Sequence, residues 1–139
     1  MNERVSFEPE HLASLISIEP GERGSSLEAG KIHKQRDRHC ATILVNNEVA
    51  ACGGIHQFWK GTGEAWMMIS PKYVSASLFR VIRRCFDVWM EEYTRVQAIT
   101  NTGWSEGERT MKFLGFGFEA ILRKMGPNGI DKSLYARIR

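Results

Sequence analysis

A chain of 139 residues, 42% hydrophobic and 25% charged, is sized for one globular domain around one core, and it lacks the run of about 18 apolar residues that a membrane-spanning helix needs. Its formal net charge of +3 is too small for an obligate nucleic-acid binder, and no aromatic-plus-basic motif of the known readers accompanies it. Cys40, Cys52 and Cys85 are odd in number and lack CxxC spacing, so they read as buried free thiols and not as metal or redox ligands.

The opening residues Met1 to Arg4 carry no apolar signal core, so a cytoplasmic location is expected. Val5 to Phe7 predicts a short strand. Pro9, tolerated in a first helical turn, opens a helix predicted to reach Ile16, with Leu12, Leu15 and Ile16 on one face. From Glu19 to Arg38 the chain holds Pro20, Gly21, Gly24, Ser25, Ser26 and Gly30 and predicts only a short helix, Ser26 to His33. The basic stretch Lys31, Lys34, Arg36 and Arg38, against Asp37, reads as a solvated loop, with a phosphate-binding patch as the competing reading.

Strands follow. Ala41 to Val45 leads into Asn46-Asn47, residues that tolerate the positive φ of a tight turn, so Val49 to His56 should return antiparallel. Gly53-Gly54 predicts a bulge or a close backbone approach. Ala65 to Ile69 is a third strand, ended by Pro71. Strict alternation puts Met67 and Ile69 on one face and Trp66 and Met68 on the other, and the apolar character of both sets requires cover on both sides.

Leu78, Phe79, Ile82, Cys85, Phe86, Trp89 and Met90 recur at threes and fours while the charged residues fall elsewhere, the pattern of an amphipathic helix. Val96 to Thr100 is a strand. Ser105 with Glu108 forms a capping-box signature for a helix from Glu106 to Leu114, and Gly115 is placed to stop it. Phe116 to Arg123 alternates, Gly126-Pro127-Asn128-Gly129 turns, and Leu134 to Ile138 closes a terminal hairpin. No Ser-His-Asp order, P-loop, metal spacing or dinucleotide fingerprint interrupts this series.

The order of elements, the segment Lys112-Phe113-Leu114-Gly115-Phe116 and the closing strand Ser133-Leu134-Tyr135-Ala136-Arg137-Ile138 together resemble the GNAT superfamily of N-acetyltransferases, from about Val5 to Arg137. The resemblance implies one α/β (α+β) domain over residues 1–139, a mixed twisted sheet with helices on both faces and a C-terminal β-hairpin. Its one parallel strand pair, Ala65 to Ile69 beside Val96 to Thr100, should part in a V above the helix that starts near Ser75. The resemblance also implies acetyl-CoA as cofactor and an amine, on a small molecule or a protein, as acceptor.

Carried over by position, Met68 and Ile69 would offer backbone to the pantetheine arm. Val74, Ser75, Ala76, Ser77 and Arg80 stand at the pyrophosphate loop. The family has a cation and two glycines there, replaced in this chain by Val74, Ser75 and Ser77. Serine hydroxyls and Arg80 are the expected substitutes. Glu64 matches the general base, and Asn101 lies near the place of a helix-capping Asn that is Trp104 in this chain. The tyrosine that protonates the departing thiolate is replaced by Met111, which has no proton to give.

A narrower likeness rests on Glu64-Ala65-Trp66, the proline after it, the arginine-rich helix and the ending from Gly126 to Arg137. It is to small acetyltransferase-like proteins of tailed bacteriophages and prophages, a group similar to an internal virion protein. This implies a phage or prophage source, residence in the host cytoplasm or packaging in the virion, and phage virion proteins as partners, with a homodimer compatible. It also implies a competing role: a catalytically silent scaffold for virion or host interaction.

Overall fold

Turn chemistry and alternation set the sheet. Asn46 and Asn47 take φ values of 52° and 64°, both left-handed as a two-residue hairpin turn demands, and join β2 (His39–Val45) to β3 (Glu48–Trp59). The computed structural model describes residues 2–15 and 26–139. The expectations for Ile16, Pro20, Gly21, Gly24 and Ser25 lie outside the described residues.

The remaining elements are β1 (Asn2–Ser6), α1 (Pro9–Ala13), α2 (Leu27–Arg36), β4 (Thr62–Ile69), α3 (Ala76–Trp89), β5 (Arg95–Asn101), α4 (Ser105–Phe113), β6 (Gly117–Leu122) and β7 (Lys132–Ile138). The strands form a seven-stranded sheet in the order β1-β2-β3-β4-β5-β7-β6. Among the described residues only β4 and β5 run parallel; the other neighbours are antiparallel. The terminal hairpin thus inserts its second strand between β5 and β6.

Both faces are covered as the alternation requires. On one, Leu78, Ile82, Cys85, Phe86 and Trp89 of α3 pack with Ile69, Val96, Leu114 and Phe116, and Met67 and Met111 lie against them. On the other, Phe7, Leu12 and Leu15 enclose Met68 and Cys52, with Trp66 beside them. Each such fully buried side chain contributes about 1.5–3 kcal/mol. Cys40, Cys52 and Cys85 are free, and burial pushes the Cys52 thiol up to about 12. No helix among the described residues is long and apolar enough to cross a membrane.

Several expectations are corrected. The basic stretch is helical, not a loop: Ser26 caps α2 by accepting from the Ala29 amide at 3.1 Å, and the helix runs on to Arg36. Its cations are tied down, Lys34 to Glu8 at 3.0 Å, Arg36 to Asp37 at 2.9 Å and, just beyond, Arg38 to Glu92 at 2.6 Å. Gly53-Gly54 makes no bulge; the register shifts fall at Ile43/Leu44 and Gln57/Trp59. Gly54 instead allows a close approach, since a Cβ there would lie 2.8 Å from the Cβ of Cys40.

The capping box at Ser105 does not form either. Gly103, at φ 80°, turns the chain so early that Trp104 becomes the N-cap and Ser105 the first helical residue. Gly115 does stop α4 as expected, with a φ of 92°.

Candidate active site

β4 and β5 share register over three pairs only, Thr62 with Arg95, Gly63 with Val96 and Glu64 with Gln97. Beyond that row β4 stays paired to β3 as far as Ile69, and β5 to β7 as far as Asn101. The facing edges of the two strands therefore part, and their inward backbone groups leave the ladder. A cleft of about 70 Å³ lies in the opening, walled by Ala65, Met67, Ile69, Thr100 and Met111. A wider groove of about 610 Å³ runs between the start of α3 and α4, past Val74, Ala76, Phe79, Arg80, Arg109 and Phe113. Trp104 and Thr110 border both cavities.

Each sequence-predicted residue has a definite place. Ile69 lines the cleft, while Val74, Ala76 and Arg80 line the groove. Ser75 is the N-cap of α3, its Oγ accepting from the Leu78 amide at 3.1 Å. Ser77 accepts from Asn2 Nδ2 at 3.0 Å. No residue from Val74 to Ser77 has positive φ, so the serines sit where glycines stand in the family without backbone strain. The reason is the route: Pro71 to Tyr73 forms a 3-10 turn that delivers an extended Ser75 directly to the helix.

Met68 turns its side chain away from the opening, into the core with Phe7 and Leu12. Asn101 is buried, its Oδ1 accepting from Lys132 Nζ at 2.6 Å, and borders neither cavity. Glu64 is half-buried at the last paired row, the apex of the V. By alternation it shares a face with Trp66 and Met68, opposite the cleft walls Ala65, Met67 and Ile69.

On that face lies a polar cluster that sequence reasoning missed. Asp37 Oδ2 accepts from Trp66 Nε1 at 2.5 Å and lies 2.8 Å from His33 Nδ1, while Arg36 Nε donates to Oδ1 at 2.9 Å. His33 stacks on Trp66 with ring centroids 3.8 Å apart. Burial alone would raise the Asp37 carboxyl, but the hydrogen bonds of His33 and Arg36, the charge of His33 and the Trp66 N–H outweigh it and hold the group below its ordinary range. His56, directly across the ladder from Glu64, places Nδ1 3.8 Å from Asp37 Oδ1. The one signal in the sequence was an acid inside a basic stretch.

No family model matches the sequence, and no curated protein matches it. Solved structures match in shape. An acetyltransferase of the GNAT family from Streptococcus pneumoniae superimposes with a TM-score of 0.79 at 14% identity over 100% of both chains. A ribosomal-protein alanine N-acetyltransferase from Escherichia coli gives 0.75 at 16% identity, covering 99% of this chain and 94% of its own. A GNAT family acetyltransferase from Elizabethkingia anophelis, with acetyl-CoA bound, gives 0.67 at 12% identity over 81% of this chain and 82% of its own.

The fold is that of the GNAT acetyltransferases. At such identities the likeness speaks for backbone and topology. Within this GNAT fold the cleft and groove open on the α3 and α4 side, and the Asp37 cluster lies on the α1 and α2 side. Glu64 stands in the last row that β4 and β5 share. Trp104 and Met111, both at positions where the GNAT resemblance implied other residues, border the cleft. Trp104 lies over Gly107, whose missing Cβ makes room for the indole.

Proposed function

We propose that the chain is a single-domain, acetyl-CoA-dependent N-acetyltransferase that passes an acetyl group to an amine of a small molecule or a protein. The observation that carries this reading is the parting of β4 from β5 immediately after the row of Glu64 and Gln97. It leaves a narrow, mostly apolar cleft beside the wider groove, with the Glu64 carboxylate in the row at which the strands part.

The residues present fit the cofactor. Met67, Ile69 and Met111 supply apolar walls for a flexible arm, and the unpaired strand edges supply backbone donors and acceptors. At the start of α3, Ser75 takes the Leu78 amide, and helix geometry leaves the Ala76 and Ser77 amides without an intrahelical acceptor. Those amides, the helix dipole, Arg80 and Arg109 suit a pyrophosphate. Bound acetyl-CoA would supply an activated thioester acyl group. Glu64 would take a proton from the amine nitrogen, and Met111, with no proton to give, would leave protonation of the departing thiolate to water.

Calorimetric titration with acetyl-CoA tests the reading. Saturable binding that weakens in Arg80→Ala is expected. Absence of binding heat, together with an unchanged melting temperature at millimolar acetyl-CoA, would overturn it, since a ligand of the native state stabilises by mass action.

As a second reading we keep a catalytically silent scaffold for virion or host interaction; two contacts speak for the silence alone. Asn2 already occupies the Ser77 hydroxyl, and Trp104 stands at the junction of cleft and groove. On this reading Glu64→Gln leaves the biological role intact. A phage that fails to grow with a folded Glu64→Gln protein would exclude it.

A further inference from the structure

We propose that His56 is a second proton acceptor for the incoming amine, held in the required tautomer by Asp37 and standing beside Glu64; this rests on the acetyl-transfer reading above. An amine that is cationic in water must lose two protons to become an amide, one before its nitrogen can attack and one as the new bond forms. Glu64 accounts for one. The residue directly across the β3–β4 ladder, on the same face, is His56, and side chains so paired have Cβ atoms about 4.5–5.5 Å apart.

The surroundings of the imidazole set its roles. Nδ1 is shut off from solvent and has no hydrogen-bond partner among the described residues, yet it lies 3.8 Å from the fully buried Asp37 carboxylate. A carboxylate on that side favours hydrogen at Nδ1 and a lone pair at Nε2. The side chain is 26% exposed, and with Nδ1 buried that exposure belongs to the rest of the ring. Phe58 packs edge-on against the imidazole at 5.3 Å and 88°, fixing its plane. Among the described residues, His33 and Arg36 from the end of α2 share Asp37, Cys40 of β2 and Tyr93 ahead of β5 also feel its charge, and Glu64 faces the site from β4.

The step balances. The ammonium gives one proton to His56 Nε2, and the freed lone pair forms the C–N bond to the acyl carbon. The C–S bond breaks with its electron pair on sulfur, which takes a proton from water. The second nitrogen proton goes to Glu64, and both residues return their protons to solvent. The exposed ring of Phe58 and the half-buried Glu64 carboxylate suit an acceptor that arrives as a cation.

Two measurements test the proposal. Acetyl transfer from acetyl-CoA is followed with an alkylamine, cationic at neutral pH, and with an arylamine, already neutral there. His56→Asn should slow the alkylamine about 100-fold and the arylamine far less, whereas Glu64→Gln should slow both. Equal losses for the two amines in His56→Asn, or no loss, would overturn the proposal. Nitrogen-15 NMR of the neutral histidines in the cofactor-free wild-type protein should show His56 protonated at Nδ1; the Nε2–H form overturns the proposal even where neither probe amine is turned over. If acetyl-CoA binds calorimetrically but His56 is Nε2–H, the relay fails and the acetyltransferase reading stands. If acetyl-CoA does not bind, both fall.

Discussion

The indole of Trp66 on β4 donates its N–H to the buried carboxylate of Asp37, which follows α2, at 2.5 Å. This bond ties the second helix to the strand that carries Glu64. Trp66→Phe keeps the ring and its stacking on His33 but removes one donor, and should cost about 1–3 kcal/mol by chemical denaturation. A cost near zero would show that Arg36 and His33 satisfy the carboxylate unaided.

Asp37 also makes stability depend on pH. Its folded-state value lies below the ordinary 3.8, so its contribution is fully present above that value and is lost as pH falls through the folded-state value. Asp37→Asn should therefore melt below the wild type at neutral pH. The gap should close as the pH is lowered past 3.8. A gap that is constant across this range in thermal melts would mean that the carboxylate charge contributes nothing.

Gly107 in α4 presents two opposed effects. Replacing it with Ala should gain about 1 kcal/mol of helix propensity, but the added Cβ would run into the Trp104 ring and lie 3.0 Å from Thr100 Oγ1. Overpacking of this kind costs about 1–3 kcal/mol. Net destabilisation is expected in urea, accompanied by altered acetyl-CoA binding because Trp104 borders both cavities. A stabilised Gly107→Ala would show that the indole moves aside freely.

Ser75→Ala should cost about 1 kcal/mol, the usual loss for an N-cap hydroxyl, and Ser75→Gly only a few tenths. Both leave the Asn2 to Ser77 bond intact. Comparing their melting temperatures separates capping from any part that Ser75 plays toward a phosphate, which acetyl-CoA titration of the same variants reads directly.

Cys52 and Cys85 should resist alkylation in the folded protein, because burial raises both thiols, that of Cys52 to about 12, and the thiolate is the nucleophile. Mass spectrometry after iodoacetamide treatment, with and without denaturant, checks this. Rapid native labelling of either would contradict the packing of α3 or β3.

What the sequence made legible was whatever repeats along one element. The threes and fours of α3, the paired asparagines before β3 and the glycine after α4 each predict their structure locally. α2 was read as ending at His33, with its basic end as a loop, because Gly30 is its one buried helical residue; Gly30 passes tightly over the Pro9 backbone, so no apolar stripe marks the helix. The end of β3 was missed because the register shift at Gln57/Trp59 breaks alternation and leaves Phe58 and Trp59 exposed. Of the candidate site, Glu64 and the start of α3 were proposed from their positions in the resemblance alone. The Asp37, His56 and Trp66 cluster was not, because it draws on α2, β3 and β4 and has no spacing along the chain.

The insertion of β7 between β5 and β6 makes the final strand a keystone. Removing it would bare the edges of two strands at once, β5 near the centre of the sheet and β6 at its margin. Unpaired edges template association between chains. Loss of these last residues should thus show itself first as aggregation, before any loss of ligand binding can be measured.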